Sequence, residues 1–263
     1  MIDPRFRMFA PPVDMVLSAR DDAVTYWLTV ICLIVVLVAL GFAWRQWRRT
    51  GSPVAMLMIL GGAVAILAEP LVDILGACWH PIIGQRTLFE SMGRPIPVWL
   101  LSTYTAYFGV LPMIAYSVFS RGTSARVMWM WFLIPLAADI ILEESLLGIS
   151  DGLYAYYGNQ PLRLHGFPLW WAPLNTAGIF LNAVVMTLLG PRLRGWKLAF
   201  VPFSNLLCYG AAAGVVGLPS FMVINSEFPA WVTQLGGLLS FGLAGMLVYL
   251  STRVIAVDTQ LVR

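Results

Sequence analysis

The sequence is poor in charged residues, and this shortage decides the class of protein. Only 11% of its 263 residues are Asp, Glu, Lys or Arg, against about 25% in ordinary soluble domains. Hydrophobic residues make up 59% of the chain, and the mean hydropathy is +0.80. A formal net charge of only +3 offers no broad basic surface for nucleic acid. The composition therefore predicts a polytopic integral membrane protein with no nucleic-acid partner.

Lysine and histidine are also scarce, which argues against several cofactor chemistries. The single lysine, Lys197, is predicted at a helix end, where it could not hold a buried retinal Schiff base. The two histidines, His80 and His165, fall between predicted helices, so a histidine-rich di-iron or zinc site is not expected. Three scattered cysteines form no C-x-x-C pair. We expect no cofactor and no metal, although carboxylates alone could still hold Mg²⁺.

Long apolar runs set the predicted architecture. Windows of about 20 apolar residues predict seven transmembrane helices. They cover residues 23–43, 54–76, 97–119, 127–149, 168–190, 197–218 and 230–251. The loops are short, so neighbouring helices should pack antiparallel. The predicted fold is all-α, with one helical-bundle domain over residues 1–263 that contains a leading helix and three helical hairpins.

The distribution of Lys and Arg predicts the orientation. One set of connections holds ten of them, including Arg45, Arg48 and Arg49, and the other set holds six, including Arg5 and Arg7. Since cytoplasmic loops are enriched in Lys and Arg, the N-terminus is predicted outside and the C-terminus in the cytoplasm.

Three predicted helices open with Pro-x-Trp, which indicates an internal repeat. The openings are Pro97-Val98-Trp99, Pro168-Leu169-Trp170 and Pro229-Ala230-Trp231. An offset of 75 residues also aligns Gln85 with Gln160. Helix-starting prolines and interfacial tryptophans explain any single instance, so chance similarity stays open beside duplication.

Acidic residues lie inside two of the predicted spans. The stretch from Asp139 to Asp151 continues an apolar run, yet it contains four acids and no Lys or Arg. Ionisable groups at membrane depth are costly, so they usually face a protein interior and serve a function. Asp151 has a simpler interpretation as a helix-end or loop residue. The predicted catalytic acids are Glu69, Asp73, Asp139, Glu143 and Glu144.

Aromatic and polar side chains are predicted at the same depth as these acids. Aromatic faces can stabilise a developing cation when water is excluded. The predicted substrate-binding residues are Trp79, Trp99, Tyr104, Tyr107, Tyr154, Trp170, Asn175 and Gln234. The alternative for the aromatic residues is interfacial anchoring, and for the amides it is hydrogen bonding between helices.

The segment Ile141-Leu142-Glu143-Glu144 resembles the Pro-x-Glu-Glu/Asp element of heterodimer-type lycopene cyclases, with Ile141 in place of the proline. The seven predicted spans, with an acid in the second, are also similar to the integral-membrane meroterpenoid cyclases of fungi. These resemblances imply buried acids that start and end a cyclisation. The patterns G-R-P-I-P-V-W and Y-Y-G-N-Q-P-L-R resemble actinobacterial membrane proteins, which implies a bacterial plasma membrane.

The leading hypothesis is a membrane-embedded, proton-initiated cyclase or isomerase that acts on a terpenoid or similar lipid. Glu144 or Glu143 would be the general acid, and Glu69 and Asp73 would tune it or accept the final proton. A proton-coupled transporter of a small hydrophobic molecule is the second hypothesis, favoured by a helix break at Pro70, Pro135 or Pro173. A non-catalytic lipid-binding or assembly subunit is the third. The expected partners are a hydrophobic substrate and membrane lipid; the oligomeric state is not predicted.

Overall fold

The computed structural model describes residues 9–150 and 152–261, with side chains up to residue 255, and it is mostly helical. Asp151 of the acidic stretch lies outside the described residues, as do Arg5, Arg7 and Arg263, which contributed to the orientation count.

Seven long helices make up most of the described chain. They are α1 (Ala19–Thr50), α2 (Val54–Leu75), α3 (Val98–Phe119), α4 (Ala125–Ile149), α5 (Trp171–Arg192), α6 (Gly195–Ile224) and α7 (Ala230–Leu261). All except α4 are long and apolar enough to cross a membrane. The helix α4 has 25 residues, but its apolar run is interrupted by Asp139, Glu143 and Glu144.

Local sequence explains where α1 starts and stops. Ser18 and Asp21 form a reciprocal capping box that satisfies free backbone N–H groups at its first turn. Gly51 ends the helix in the left-handed conformation, with φ of 72°. Arg48 and Arg49 occupy the last turn, where positive charge complements the helix dipole. The helix is therefore closed at both ends by its own residues.

Prolines within helices coincide with altered helical turns. In α2, a 3₁₀ turn at Ile66–Ala68 comes just before Pro70. In α3 and α6, π-helical turns at Thr105–Val110 and Ala213–Gly217 precede Pro112 and Pro219. Because proline lacks an N–H and crowds the preceding turn, the helix widens or tightens there. The π-helical turn in α3 changes the direction in which the side chains after Tyr104 point.

The helix α5 is central, with 67% of its membrane-length window buried, whereas α1 is peripheral at 22%. Small residues allow the closest helix contacts. A Cβ atom on Gly62 of α2 would lie 2.6 Å from the backbone nitrogen of Gly109 on α3. Gly61 similarly faces Asn205 and Pro202 of α6. These contacts bring α2 close to both neighbours and fix the position of its acidic end.

Four short strands correct the all-α prediction. The strands β2 (Thr87–Ser91) and β3 (Arg94–Pro97) form a hairpin in the loop before α3. The strands β1 (Cys78–Trp79) and β4 (Ala155–Tyr156) pair antiparallel, with Cys78 opposite Tyr156 and Trp79 opposite Ala155. This second pair, the β1–β4 ribbon, joins the loop after α2 to the loop after α4. Strands this short carry no periodic pattern, so the sequence does not predict them.

The first two Pro-x-Trp openings make the same type of contact. The Trp99 indole N–H donates to the Oε1 of Gln85 at 3.4 Å, and the Trp170 indole N–H donates to the Oε1 of Gln160 at 3.1 Å. In the third opening, Trp231 is 70% exposed. The shared contact supports duplication for the first two units.

Replacing Gln160 with Ala is expected to lower the free energy of unfolding by about 1–3 kcal/mol, because buried polar groups would lose their partners. Its Nε2 donates to the carbonyl oxygens of Gly76 and Tyr157, at 2.7 and 2.8 Å. Gln85→Ala is the matched control, since Gln85 is only partly buried and should cost less. Thermal unfolding of both variants in detergent measures the difference. An equal loss in the two would contradict a special role for Gln160.

Candidate active site

A buried cavity lies beneath the β1–β4 ribbon, at the end of the bundle opposite Arg45–Arg49. Its volume is about 90 Å³. Carboxylic acids and aromatic side chains dominate its lining. The lining residues are Glu69, Asp73, Cys78, His80, Trp99, Leu100, Thr103, Tyr104, Tyr107, Phe108, Asp139, Leu142, Glu143, Leu146, Tyr154, Tyr156, Trp171, Asn175 and Tyr209.

Four of the five predicted catalytic acids meet in this cavity. Glu69 and Asp73 reach it from α2, and Asp139 and Glu143 reach it from α4. Within each helix the two acids are four residues apart, so both point to the same face. Glu69, Asp73 and Asp139 are buried, with 8%, 1% and 3% of their surface exposed. Among the described residues, these carboxylates form no ion pair with Lys or Arg.

Hydrogen bonds connect the acids on the two helices. The Tyr104 hydroxyl donates to Glu69, and it lies 3.4 Å from the Tyr209 hydroxyl. Tyr209 in turn donates to the Oδ1 of Asn175 at 3.5 Å, and the Asn175 amide donates to Asp139 at 3.2 Å. The acids thus bond to tyrosine and amide side chains around the cavity. Direct acid-to-acid bonding without a cavity, which would favour the lipid-binding or assembly-subunit hypothesis, is not observed among the described residues.

Two tyrosines, one in strand β4 and one just before it, form hydrogen bonds with Glu143. The Tyr154 hydroxyl donates to the Oε2 of Glu143 at 2.6 Å, and the Tyr156 hydroxyl donates to the same oxygen at 3.4 Å. Burial, and then the nearby Glu143 carboxylate, raises the pKa of Tyr154 well above its usual value. The Tyr154 hydroxyl therefore keeps its proton at neutral pH and remains a donor.

Alternation along the extended chain explains which residues around β1 face the cavity. Successive side chains point to opposite sides, so Cys78 of β1 and His80, which follows the strand, face inward and Trp79 faces outward. Trp79 is buried, and the Arg94 guanidinium lies over its ring at 5.1 Å. Arg94 also donates to the Tyr157 hydroxyl at 2.5 Å. The predicted substrate contact of Trp79 is therefore replaced by a cation–π contact outside the cavity.

Glu144, a first choice for the general acid from sequence, does not line the cavity. Its Oε1 accepts hydrogen bonds from the backbone N–H groups of His165 and Phe167, at 3.3 and 3.2 Å. Its Oε2 lies 3.7 Å from the Nδ1 of His165, which is 90% exposed. Adjacent helical residues are rotated by about 100°, so Glu143 and Glu144 point to different surroundings. Glu144 orders the loop before α5, and Glu143 is the acid of this pair that faces the cavity.

Two further predicted substrate contacts lie outside the cavity. Trp170 is fully buried and stacks on Trp171, with ring centroids 4.6 Å apart, and it is Trp171 that lines the cavity. Gln234 on α7 accepts a hydrogen bond from the backbone N–H of Leu162 at 2.8 Å. The predicted contacts that do line the cavity are Trp99, Tyr104, Tyr107, Tyr154 and Asn175.

Cys78, His80 and Tyr209 line the cavity but were not among the predicted site residues. His80 was predicted between helices and does lie there, directly after β1, and the spacing C-x-H places it on the same side of the chain as Cys78. Tyr209 of α6 has no acid or repeat motif beside it, and nothing in the sequence distinguishes it. Asn182 and Asn205 instead bridge helices, since their amides donate to Ser204 and to the Met58 carbonyl oxygen.

One residue of the cavity lining is also exposed on the outside of α4. Leu142 lines the cavity and is 39% exposed. On the same helix, Ile134 and Ile141 are 62% and 67% exposed. The outer face of α4 next to the cavity is therefore apolar.

No protein-family model, curated protein or solved structure matches the chain.

Proposed function

We propose that the protein is a membrane-embedded acid–base enzyme, a proton-initiated cyclase or isomerase of a terpenoid or related hydrophobic molecule. The observation that carries this proposal is the meeting of four carboxylic acids in a buried, aromatic-lined cavity. General acid–base catalysis needs such positioned carboxyl groups, and exclusion of water strengthens their effect.

The proposal also covers how the helices cross the membrane. All seven helices would cross the membrane, with the N-terminus outside and the C-terminus in the cytoplasm of a bacterial plasma membrane. With 25 residues, α4 is about 37 Å long, enough to cross the hydrocarbon core. Its acids face the cavity or the loop before α5, so the cost of placing them at membrane depth is reduced.

The size of the cavity limits how much of a substrate molecule could fit inside it. About 90 Å³ accommodates the reacting end of a molecule but not a folded polyprenoid chain. The remainder of the substrate would extend past Leu142 into lipid. We therefore favour a single cyclisation or isomerisation at one end of a hydrophobic molecule over a long cascade.

In the proposed reaction, acids on two different helices donate and accept the proton. Glu143, held by Tyr154 and Tyr156, would deliver a proton to the substrate, and Glu69, held by Tyr104, would accept one. Neighbouring carboxyl groups without paired cations repel each other when charged, which favours retention of a proton by some of them. Trp99, Tyr104 and Phe108 line the space between the acids, where ring faces could stabilise developing positive charge.

Lipid extracts from cells that express the protein should contain a product isobaric with a supplied precursor. Linear polyprenoids and their epoxides would be fed, and extracts compared by mass spectrometry with cells carrying Glu69→Gln at matched expression. We expect the product with the unsubstituted protein and its loss with the variant. If the precursors are unchanged both with the unsubstituted protein and with the variant, the proposed reaction is contradicted.

A proton-coupled carrier is the second candidate, and one observation favours it. The 3₁₀ turn at Ile66–Ala68 interrupts α2 immediately before Glu69 and Pro70, and such breaks occur at transporter binding sites. By contrast, α4 is continuous through Pro135. Uptake of a precursor that depends on a proton gradient, without a chemical product, would identify the carrier.

A further inference from the structure

Asp73, Cys78 and His80 bring three potential metal ligands together on one short segment. A carboxylate oxygen of Asp73, the Cys78 sulfur and a ring nitrogen of His80 all lie within 4.8 Å of one another. Asp73 comes from the last turns of α2, Cys78 lies on the inward face of β1, and His80 directly follows β1 on the same side. Between them Ala77 has a φ of 51°, which turns the chain sharply enough to bring β1 back over Asp73.

These ligand groups are buried, and two of them have polar atoms without a hydrogen bond. Asp73, Cys78 and His80 are 1%, 4% and 3% exposed. The Oδ2 of Asp73 and both ring nitrogens of His80 form no hydrogen bond in the structure. Buried polar atoms nearly always have a partner, so the unbonded Oδ2 of Asp73 and Nε2 of His80, 3.9 Å apart, indicate a site for a ligand.

Glu69 lies beside these three groups. Its Oε1 lies 3.6 Å from the Nε2 of His80, and Asp73 Oδ2 lies 3.9 Å from the same nitrogen. Ligand atoms around tetrahedral zinc are about 3.3–3.8 Å apart, given its bond lengths. Since the ligand atoms of Asp73, Cys78 and His80 already lie within 4.8 Å of one another, small side-chain rotations would place them around one ion.

The local charge fits a divalent ion. The carboxylates of Glu69 and Asp73 and the thiolate of Cys78 would carry three negative charges. A divalent cation supplies two positive charges, and the buried Arg94, which interacts electrostatically with Asp73 and Cys78, supplies the third. The net charge of the three acidic groups, the ion and Arg94 would then be zero.

We propose that Asp73, Cys78 and His80 bind a zinc ion whose fourth coordination position faces the cavity. A thiolate combined with imidazole and carboxylate favours Zn²⁺ over Mg²⁺ or Ca²⁺, which prefer oxygen ligands alone. The ion would face the same cavity as Glu143 and could act as a Lewis acid toward an oxygen atom on the substrate. The metal site rests on ligand geometry and does not depend on the proposed reaction.

Metal analysis of the purified protein tests this inference. The chain would be expressed in zinc-supplemented medium, purified in detergent without chelators and analysed by inductively coupled plasma mass spectrometry. We expect about one zinc per chain, as in other single-ion sites. Cys78→Ser and His80→Gln should each lose most of it, whereas Cys208→Ser, a buried cysteine that contacts Asn182, should keep it.

Cobalt substitution gives a second readout that does not depend on activity. Co²⁺ bound to the cluster should show a thiolate-to-cobalt absorption band that disappears in Cys78→Ser and persists in Cys208→Ser. Thermal unfolding of each variant would establish that it is folded. Absence of stoichiometric zinc and of the cobalt band in the folded protein would overturn the inference and leave a water-bridged histidine–carboxylate cluster.

Discussion

Glu143→Gln is expected to reduce product formation by about 10²- to 10⁴-fold, the range typical of a lost general acid or base. The amide keeps the size of the side chain and can still accept the hydrogen bond from Tyr154, but it has no proton of suitable acidity to transfer. The measurement is the rate of product formation in membranes with equal amounts of protein, followed by mass spectrometry.

The adjacent Glu144→Gln is the matched control. It makes the same chemical change one residue away, where the carboxylate bonds to backbone N–H groups of the loop before α5. We expect its rate to stay within about threefold of the unsubstituted protein, as for changes outside a site. Equal losses in both variants would contradict the distinct roles inferred for the two acids, and a larger loss in Glu144→Gln would reverse them.

Gly62→Ala is expected to cause a large loss of stability. The added Cβ would lie 2.6 and 2.8 Å from the backbone N and Cα of Gly109, and 2.8 Å from the Tyr104 carbonyl oxygen. Because backbone atoms cannot rotate away, α2 and α3 must separate, at a cost of about 1–3 kcal/mol or more. Thermal unfolding in detergent should show a midpoint lower by several degrees.

Gly41→Ala on α1 provides the comparison, since a Cβ there would have no atom within 4 Å. Alanine is also the better helix former, so this variant should be as stable as the original chain or slightly more stable. A Gly62→Ala protein that unfolds at the same temperature as Gly41→Ala would show that the close contact is not required. Separation of α2 and α3 should also displace Tyr104 from Glu69 and lower activity.

The helices could be predicted well because each depends on a local run of apolar residues. The predicted window 54–76 corresponds to Val54–Leu75, and 97–119 corresponds to Val98–Phe119. The convergence of Glu69, Asp73, Asp139 and Glu143 followed from their spacing on two helices and from the cost of burying unpaired acids. These are properties of single segments and their membrane environment.

The details of the site could not be predicted because they depend on pairing between distant segments. Glu143 and Glu144 are adjacent residues of the same type, so the sequence alone does not distinguish their roles. The packing of α4 against α5 decides which one faces the cavity. Cys78 and His80 become cavity residues only because β1 pairs with β4, and a two-residue strand has no pattern of its own. His80 lies between helices as predicted, but its burial, with 3% of its surface exposed, was not predicted.

The β1–β4 ribbon also bears on how the protein is made. Cys78 pairs with Tyr156, 78 positions later in the chain (156 − 78). At synthesis rates of about 5–20 residues per second, the second strand leaves the ribosome roughly 4–16 seconds after the first. During that interval the acids of α2 lack the ribbon that covers them, although α3 with Tyr104 is already synthesised. The cavity is completed later still, because Asn175 of α5 and Tyr209 of α6 follow β4 in the chain. A chain that stops before β4 would leave Glu69, Asp73 and His80 without the covering tyrosine of that strand.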